Sequence, residues 1–299
     1  MVARSVVLIV GVTVFAACSG NDEPRHTDTA ASASAPNVVS LTATDGSISA
    51  PDSIPAGWTT FHLANHGSDV HYGHIVRLDD GRTPQDLVGA YAEAIRTSAP
   101  RPAWVKRFGG PGGTAPHDSS NVTQQLEPGS YVWICPVEDS AGTPHFTKGE
   151  VKPFVVYARA ADAGPSAAAP VADASIRLAD FSFTVDSSLK AGRHTIHVEN
   201  VGAEPHDLNV MRLAPGVTIE NVRDWLNPER ARRDPTKPPP SIESIVSPGG
   251  GGVATMRPGM SAYIVANLPP GNYVVFCMVT APDGRSHIEH GMIQPLKVE

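Results

Sequence analysis

A chain built from two copies of one unit must find one fold that serves both copies, and this chain is such a duplication. At a constant shift of 135 residues, 40–78 overlays 175–213 and matches Asp45 with Asp180, Gly57 with Gly192, His62 with His197, Asn65 with Asn200, Gly67 with Gly202 and His71 with His206. Further on, LEPGSYVWIC (126–135) matches LPPGNYVVFC (268–277) at a shift of 142, which also pairs Gly142 with Gly284, His145 with His287, Gly149 with Gly291 and Pro153 with Pro295. The two shifts differ by one net insertion in the second copy. A repeat unit this long means two homologous domains rather than a solenoid, and 299 residues is a two-domain length.

Each copy reads as β-structure. FTVDSSLKAGRHTIHVENVG alternates apolar and polar positions around a glycine turn, and YVWIC and YVVFC are aromatic and β-branched runs introduced by Pro-Gly. One insertion per copy has helical character: Thr83-Pro84 is a cap followed by proline ahead of DLVGAYAEAIR, and Thr218 precedes IENVRDWL. The fold class expected is all-β: two tandem Greek-key β-sandwiches, each with a short helical insertion. An Ala/Pro-rich run at 158–172 (ARAADAGPSAAAPVA) reads as a linker, so the domains are expected at 38–157 and 173–299.

The N-terminus reads as an export signal. Arg4 is followed by an apolar run at 6–14 that is too short to span a membrane, then by Phe15-Ala16-Ala17-Cys18. This resembles a bacterial lipoprotein signal peptide (1–17), which implies cleavage before Cys18, lipidation of its thiol and residence at the outer face of the cell membrane or on its periplasmic side. A plain secretory cut is the alternative. Residues 18–37 are small, polar and rich in Ala, Ser and Pro, so they read as a tether. The formal net charge of −7 offers no basic surface for a nucleic acid.

With Cys18 assigned to the anchor, Cys135 and Cys277 remain, and both fall at matched places in the repeat. The second copy presents His206, Cys277, His287 and Met292 in that order. Two imidazoles and a thiolate with a weak axial thioether form the donor set of a copper centre that passes one electron. The H-x4-M spacing from His287 to Met292 and the N-x-G-x-x-P-H stretch ending at His206 resemble the cupredoxins, and the resemblance covers both repeats. It implies that these four side chains are copper ligands, and that Asp207 and Tyr72 stand where family members often carry an Asn that ties the ligand loops together. In the first copy His71, Cys135 and His145 fill the same places, but Glu150 replaces the methionine. A harder, anionic donor favours Cu(II), so that site is expected to hold a modified copper centre, another metal such as zinc, or none.

The remaining histidines are assigned elsewhere. His74 aligns with Asn209 and His290 with Lys148, while His62 and His197 face outward beside Phe61 and Ile196. Copper enzymes of two cupredoxin domains need a second metal centre, built from His-x-His pairs or a histidine next to the cysteine. Here no His-x-His occurs, Cys135 lies between Ile134 and Pro136, and Cys277 lies between Phe276 and Met278. The expectation is an electron carrier rather than an enzyme, working with an unnamed redox partner protein. The alternative is a copper sequestration or delivery protein without redox turnover.

Overall fold

The computed structural model describes residues 35–79, 81–160, 167–186, 189–226 and 240–299. Cys18, the expected signal peptide, most of the tether and part of the expected linker therefore lie outside the described residues. The first copy runs β1 (Asn37–Thr44), β2 (Ser47–Ser49), β3 (Ser53–Pro55), β4 (Gly57–Asn65), β5 (His74–Leu78), α1 (Pro84–Thr97), β6 (Lys106–Arg107), β7 (Ser119–Leu126), β8 (Gly129–Ile134) and β9 (Val151–Tyr157). The second runs β10 (Ala174–Ala179), β11 (Ser182–Val185), β12 (Gly192–Asn200), β13 (His206–Leu213), α2 (Ile219–Trp225), α3 (Ile242–Ile245), β14 (Val246–Met256), β15 (Ser261–Leu268), β16 (Gly271–Phe276) and β17 (Ile293–Val298). The all-β class and the helical insertions stand as the sequence implied.

In the first copy β2-β1-β4-β7 forms one layer and β3-β9-β8-β5-β6 the other. In the second, β11-β10-β12-β15 faces β17-β16-β13-β14. The cysteine strands show why they read as unbroken apolar runs. On β8, Tyr131 and Trp133, and Cys135 just beyond its end, enter the core between the layers, while Val132 and Ile134 point the opposite way beneath α1 with Leu87 and Tyr91. On β16, Tyr273 and Val275, followed by Cys277, face the second core, and Val274 and Phe276 pack under α2 and α3 with Val222 and Ile245. The helical insertions thus bury the outer faces of the two strands that deliver the sulfurs. Both helices start as read: Thr83 and Thr218 accept from the backbone N–H groups of Asp86 and Asn221, whose side chains reach back to the caps.

The two copies share main chain. β15 pairs with β7 through Tyr263/Thr123, Ile264/Val122 and Val265/Asn121. The glycine-rich run 108–114 is threaded between the 71–75 strand of the first copy and β14 of the second. Gly73 and Ile75 donate to Pro111 and Gly109 on one side; on the other, Gly109 donates to Thr255 and Ala254 donates to Gly110. Side chains would block this joint: a Cβ on Gly112 would come within 2.7 Å of the Gly252 carbonyl carbon and 2.9 Å of the Val253 nitrogen.

Candidate metal centres

Cys277 leaves the end of β16, and its N–H donates to the Met292 carbonyl (3.1 Å) at the start of β17, so Met292 lies directly across from it. Cys135 and Glu150 repeat the same bond at 3.2 Å. The nine residues between Cys277 and His287 fold back as a small ladder, with Thr280 bridged to Ser286 and the His287 N–H donating to the Val279 oxygen (2.8 Å). This returns the second histidine to the cysteine. His206, the first residue of β13, supplies the remaining imidazole from a distant stretch of chain.

In the second copy the three donor atoms form a triangle: His206 Nδ1 to His287 Nδ1 3.0 Å, His287 Nδ1 to Cys277 Sγ 3.4 Å, and His206 Nδ1 to Cys277 Sγ 3.9 Å. The point equidistant from them lies about 2.0 Å from each, close to the metal–nitrogen and metal–sulfur lengths of such sites. All three residues are fully buried, and Met292 is buried in the same core as Cys277. Each imidazole donates its other nitrogen to a carboxylate, His206 Nε2 to Asp180 Oδ1 and His287 Nε2 to Glu204 Oε2, both at 3.0 Å. The ring protons are thereby fixed on Nε2, and both Nδ1 lone pairs converge on one buried spot. Burial disfavours the charged form of His206 and, with the His206 ring close by, lowers His287 to about 4. Burial, then the Asp207 charge, raises the Cys277 thiol. One thiol proton cannot serve two facing lone pairs, so the donor set fits a cation.

The first copy gathers His71, Cys135, His145 and Glu150, all fully buried, with donor atoms within 4.8 Å of one another. Cys135 Sγ is 3.6 Å from His145 Nδ1. His71 Nδ1 donates to Glu150 Oε2 at 2.7 Å, and its Nε2 donates to Asp45 Oδ1 at 3.1 Å. Burial disfavours the His71 cation, but Glu150 and Asp45 outweigh it and its pKa is raised. Burial likewise opposes the Glu150 charge, yet hydrogen bonds from His145 and His71 bring its pKa below the usual carboxylate value. Glu150 Oε2 thus stands against His71 Nδ1, at the place the axial donor takes in the second copy. Glu150 Oε1 has, among the described residues, no partner nearer than His145 Nδ1 at 3.5 Å, and a buried carboxylate oxygen so weakly held is a fit for a metal ion.

The residues singled out in the sequence are therefore brought together, four in one copy and, in the other, three converging atoms with Met292 alongside. His74 is turned away, buried against Tyr91; His290 is half-buried and paired with Asp283 (3.1 Å). Sequence pattern alone does not reveal the carboxylates beside the imidazoles: Asp45, Asp180 and Glu204 are hydrogen-bonded to ring nitrogens, while Asp69, equivalent to Glu204 at the shift of 135, lies 3.5 Å from His145 Nε2. Gly67 and Gly202 also acquire a reason: a Cβ at Gly202 would lie 2.3 Å from Asp180 Oδ1 and 2.8 Å from His206 Nε2. The link between ligand loops takes a new form, since Asp207 Oδ1 accepts the Met278 N–H at 2.8 Å, joining the residue after His206 to the residue after Cys277. Asp180→Ala is expected to weaken metal binding at this site about 10- to 100-fold. A competition titration that finds wild-type affinity would refute that role.

No family model matches the chain. No curated protein matches it either. Among solved structures it is similar to the dithionite-reduced auracyanin of Roseiflexus castenholzii, with 19% identity over 42% of this chain and 94% of that one and a TM-score of 0.27. Auracyanin A, a blue copper protein of Chloroflexus aurantiacus, matches at 17% identity over 41% of this chain and 99% of that one, TM-score 0.30. The blue copper oxidase of Nitrosomonas europaea matches at 12% identity over 89% of this chain and 86% of that one, TM-score 0.24.

Proposed function

We propose that this chain is an exported copper protein of the cupredoxin type that carries single electrons through the second copy. The observation that carries the reading is the convergence of His206 Nδ1, His287 Nδ1 and Cys277 Sγ on one fully buried point, with both ring N–H groups committed to carboxylates. Copper held there supplies a one-electron couple, since thiolate and thioether favour Cu(I) and imidazole suits both states. His206, His287 and Cys277 would hold it, with Met292 as the weak fourth donor. Asp180 and Glu204 keep the rings in one tautomer, and the buried strands β13, β16 and β17 keep the donors from rearranging. In the first copy His71, Cys135, His145 and Glu150 would hold copper biased toward Cu(II).

The carrier reading, as against an enzyme, rests on the sequence around the cysteines, where Ile134, Pro136, Phe276 and Met278 leave no flanking histidine for a second centre. Loading the purified chain with copper tests the whole proposal. An intense band at about 600 nm that bleaches and returns with one electron per second-copy site is the expected result. Tight Cu(I) binding without reversible oxidation would mean sequestration or delivery instead, and absence of the band would end the type 1 reading.

Export and anchoring belong to the same proposal and rest on the residues before Cys18. Cys18→Ser is expected to move the protein from the membrane fraction to the soluble one. Retention of the variant on membranes would remove the lipid anchor from the proposal.

A further inference from the structure

The residues that follow the first histidine of each copy, Tyr72 and Asp207, are equivalent by the repeat, as are His74 and Asn209. Each of the first pair donates its backbone N–H to the cysteine sulfur of its own copy, Tyr72 to Cys135 at 3.3 Å and Asp207 to Cys277 at 3.4 Å. Across the joint their side chains have diverged into complementary partners. The Tyr72 hydroxyl donates to Asn209 Oδ1 at 2.5 Å, and Asn209 Nδ2 donates to Asp207 Oδ1 at 3.2 Å, because residues two apart on β13 share a face. Asn209 Nδ2 also reaches the Phe276 oxygen (3.4 Å), one residue before Cys277. Tyr72, Asn209 and Asp207 are all buried. Gly113 leaves the room they need, since a Cβ there would stand 3.1 Å from both Asn209 Oδ1 and the Tyr72 hydroxyl.

We propose that Tyr72, Asn209 and Asp207 form a hydrogen-bonded bridge that couples the sulfur of Cys135 to the sulfur of Cys277, so that the two copies exchange an electron inside one molecule. The inference rests on the reading that both donor sets hold copper. Tyr72 and Asn209 are positioning residues in this scheme, touching neither ion. The exchange balances by itself: one copper goes from cuprous to cupric as the other goes from cupric to cuprous. The phenol keeps its proton and its electrons, and no outside oxidant is consumed. A bridge of four polar contacts gives the two sulfurs a common path across the joint, whereas apolar packing alone would not.

The test uses the full chain carrying two coppers, given less than one equivalent of a radical reductant in a rapid pulse. Relaxation of the second-copy band should be first order and independent of protein concentration. Tyr72→Phe, which removes one oxygen, should slow it on the order of tenfold, because a hydrogen bond gives way to a through-space gap, with copper content, absorption and EPR spectra unchanged. Asn209→Leu should do the same. In the metal-free protein, ultraviolet resonance Raman should show one tyrosine as a strong hydrogen-bond donor, and Asn209→Leu should abolish that signature. Relaxation at the wild-type rate in Tyr72→Phe, or relaxation second order in protein, overturns the bridge while leaving both copper sites standing. A copper content below two per chain overturns the first-copy site and the bridge with it.

Discussion

Cys277→Ser is expected to abolish the intense visible band of the second copy and to weaken copper there by more than the roughly 10- to 100-fold that loss of an outer partner costs. The band arises from charge transfer out of a thiolate, and a serine oxygen is a hard donor whose proton is far more costly to remove. The fold should survive. Cys277 is a fully buried small side chain whose sulfur takes only weak contacts, among them the Asp207 N–H at 3.4 Å, so the exchange of sulfur for oxygen costs on the order of 1 kcal/mol. Absorption and metal content of the purified variant check this directly. A surviving band with copper bound would mean that the colour comes from Cys135, and the electron path would have to be redrawn around the first copy.

The second large effect concerns the joint. Gly110 has φ +96°, and a Cβ there would fall 2.1 Å from the Gly73 carbonyl oxygen and 2.9 Å from Ile75 Cγ1. Its N–H donates to Gln124 Oε1 (2.8 Å) and its oxygen accepts from Ala254 (2.9 Å), so the backbone has no room to retreat. Left-handed strain and overpacking together should cost about 4 kcal/mol in Gly110→Ala, lowering the melting temperature by about 8 °C for a chain of this size. Gly81 is the control. It also has positive φ, at +76°, but nothing lies within 4 Å of an added Cβ, so Gly81→Ala should cost only the strain, about 1 kcal/mol. Equal melting of the two variants would show that close backbone approach at the joint contributes nothing.

What could be read in the sequence follows from what periodicity and duplication encode. YVWIC and YVVFC announce themselves as strands buried on both faces, and their recurrence with a downstream histidine marks the donor positions before any contact is known. Thr83-Pro84 fixes a helix start through local bonding alone. The rest depends on partners far away in sequence. Nothing in PGGGG or GGPGG says which backbone will lie against which, because a glycine has no side chain to carry a pattern. Asp69 and Glu204 look like ordinary loop acids until His145 and His287 are placed beside them, His287 at 3.0 Å from Glu204 and His145 at 3.5 Å from Asp69. Tyr72 and Asp207 even read as departures from an expected Asn. The contact that gives the departure sense, Tyr72 to Asn209, spans 137 residues.

The ladder between β7 and β15 has a consequence for how such a gene can be cut. Those strands satisfy each other at 121–123 and 263–265, so a fragment carrying one copy alone would leave there a row of bare amides and carbonyls, the template on which separate molecules stack edge to edge. Held in one chain, each copy shields the edge that the other would otherwise present to solvent.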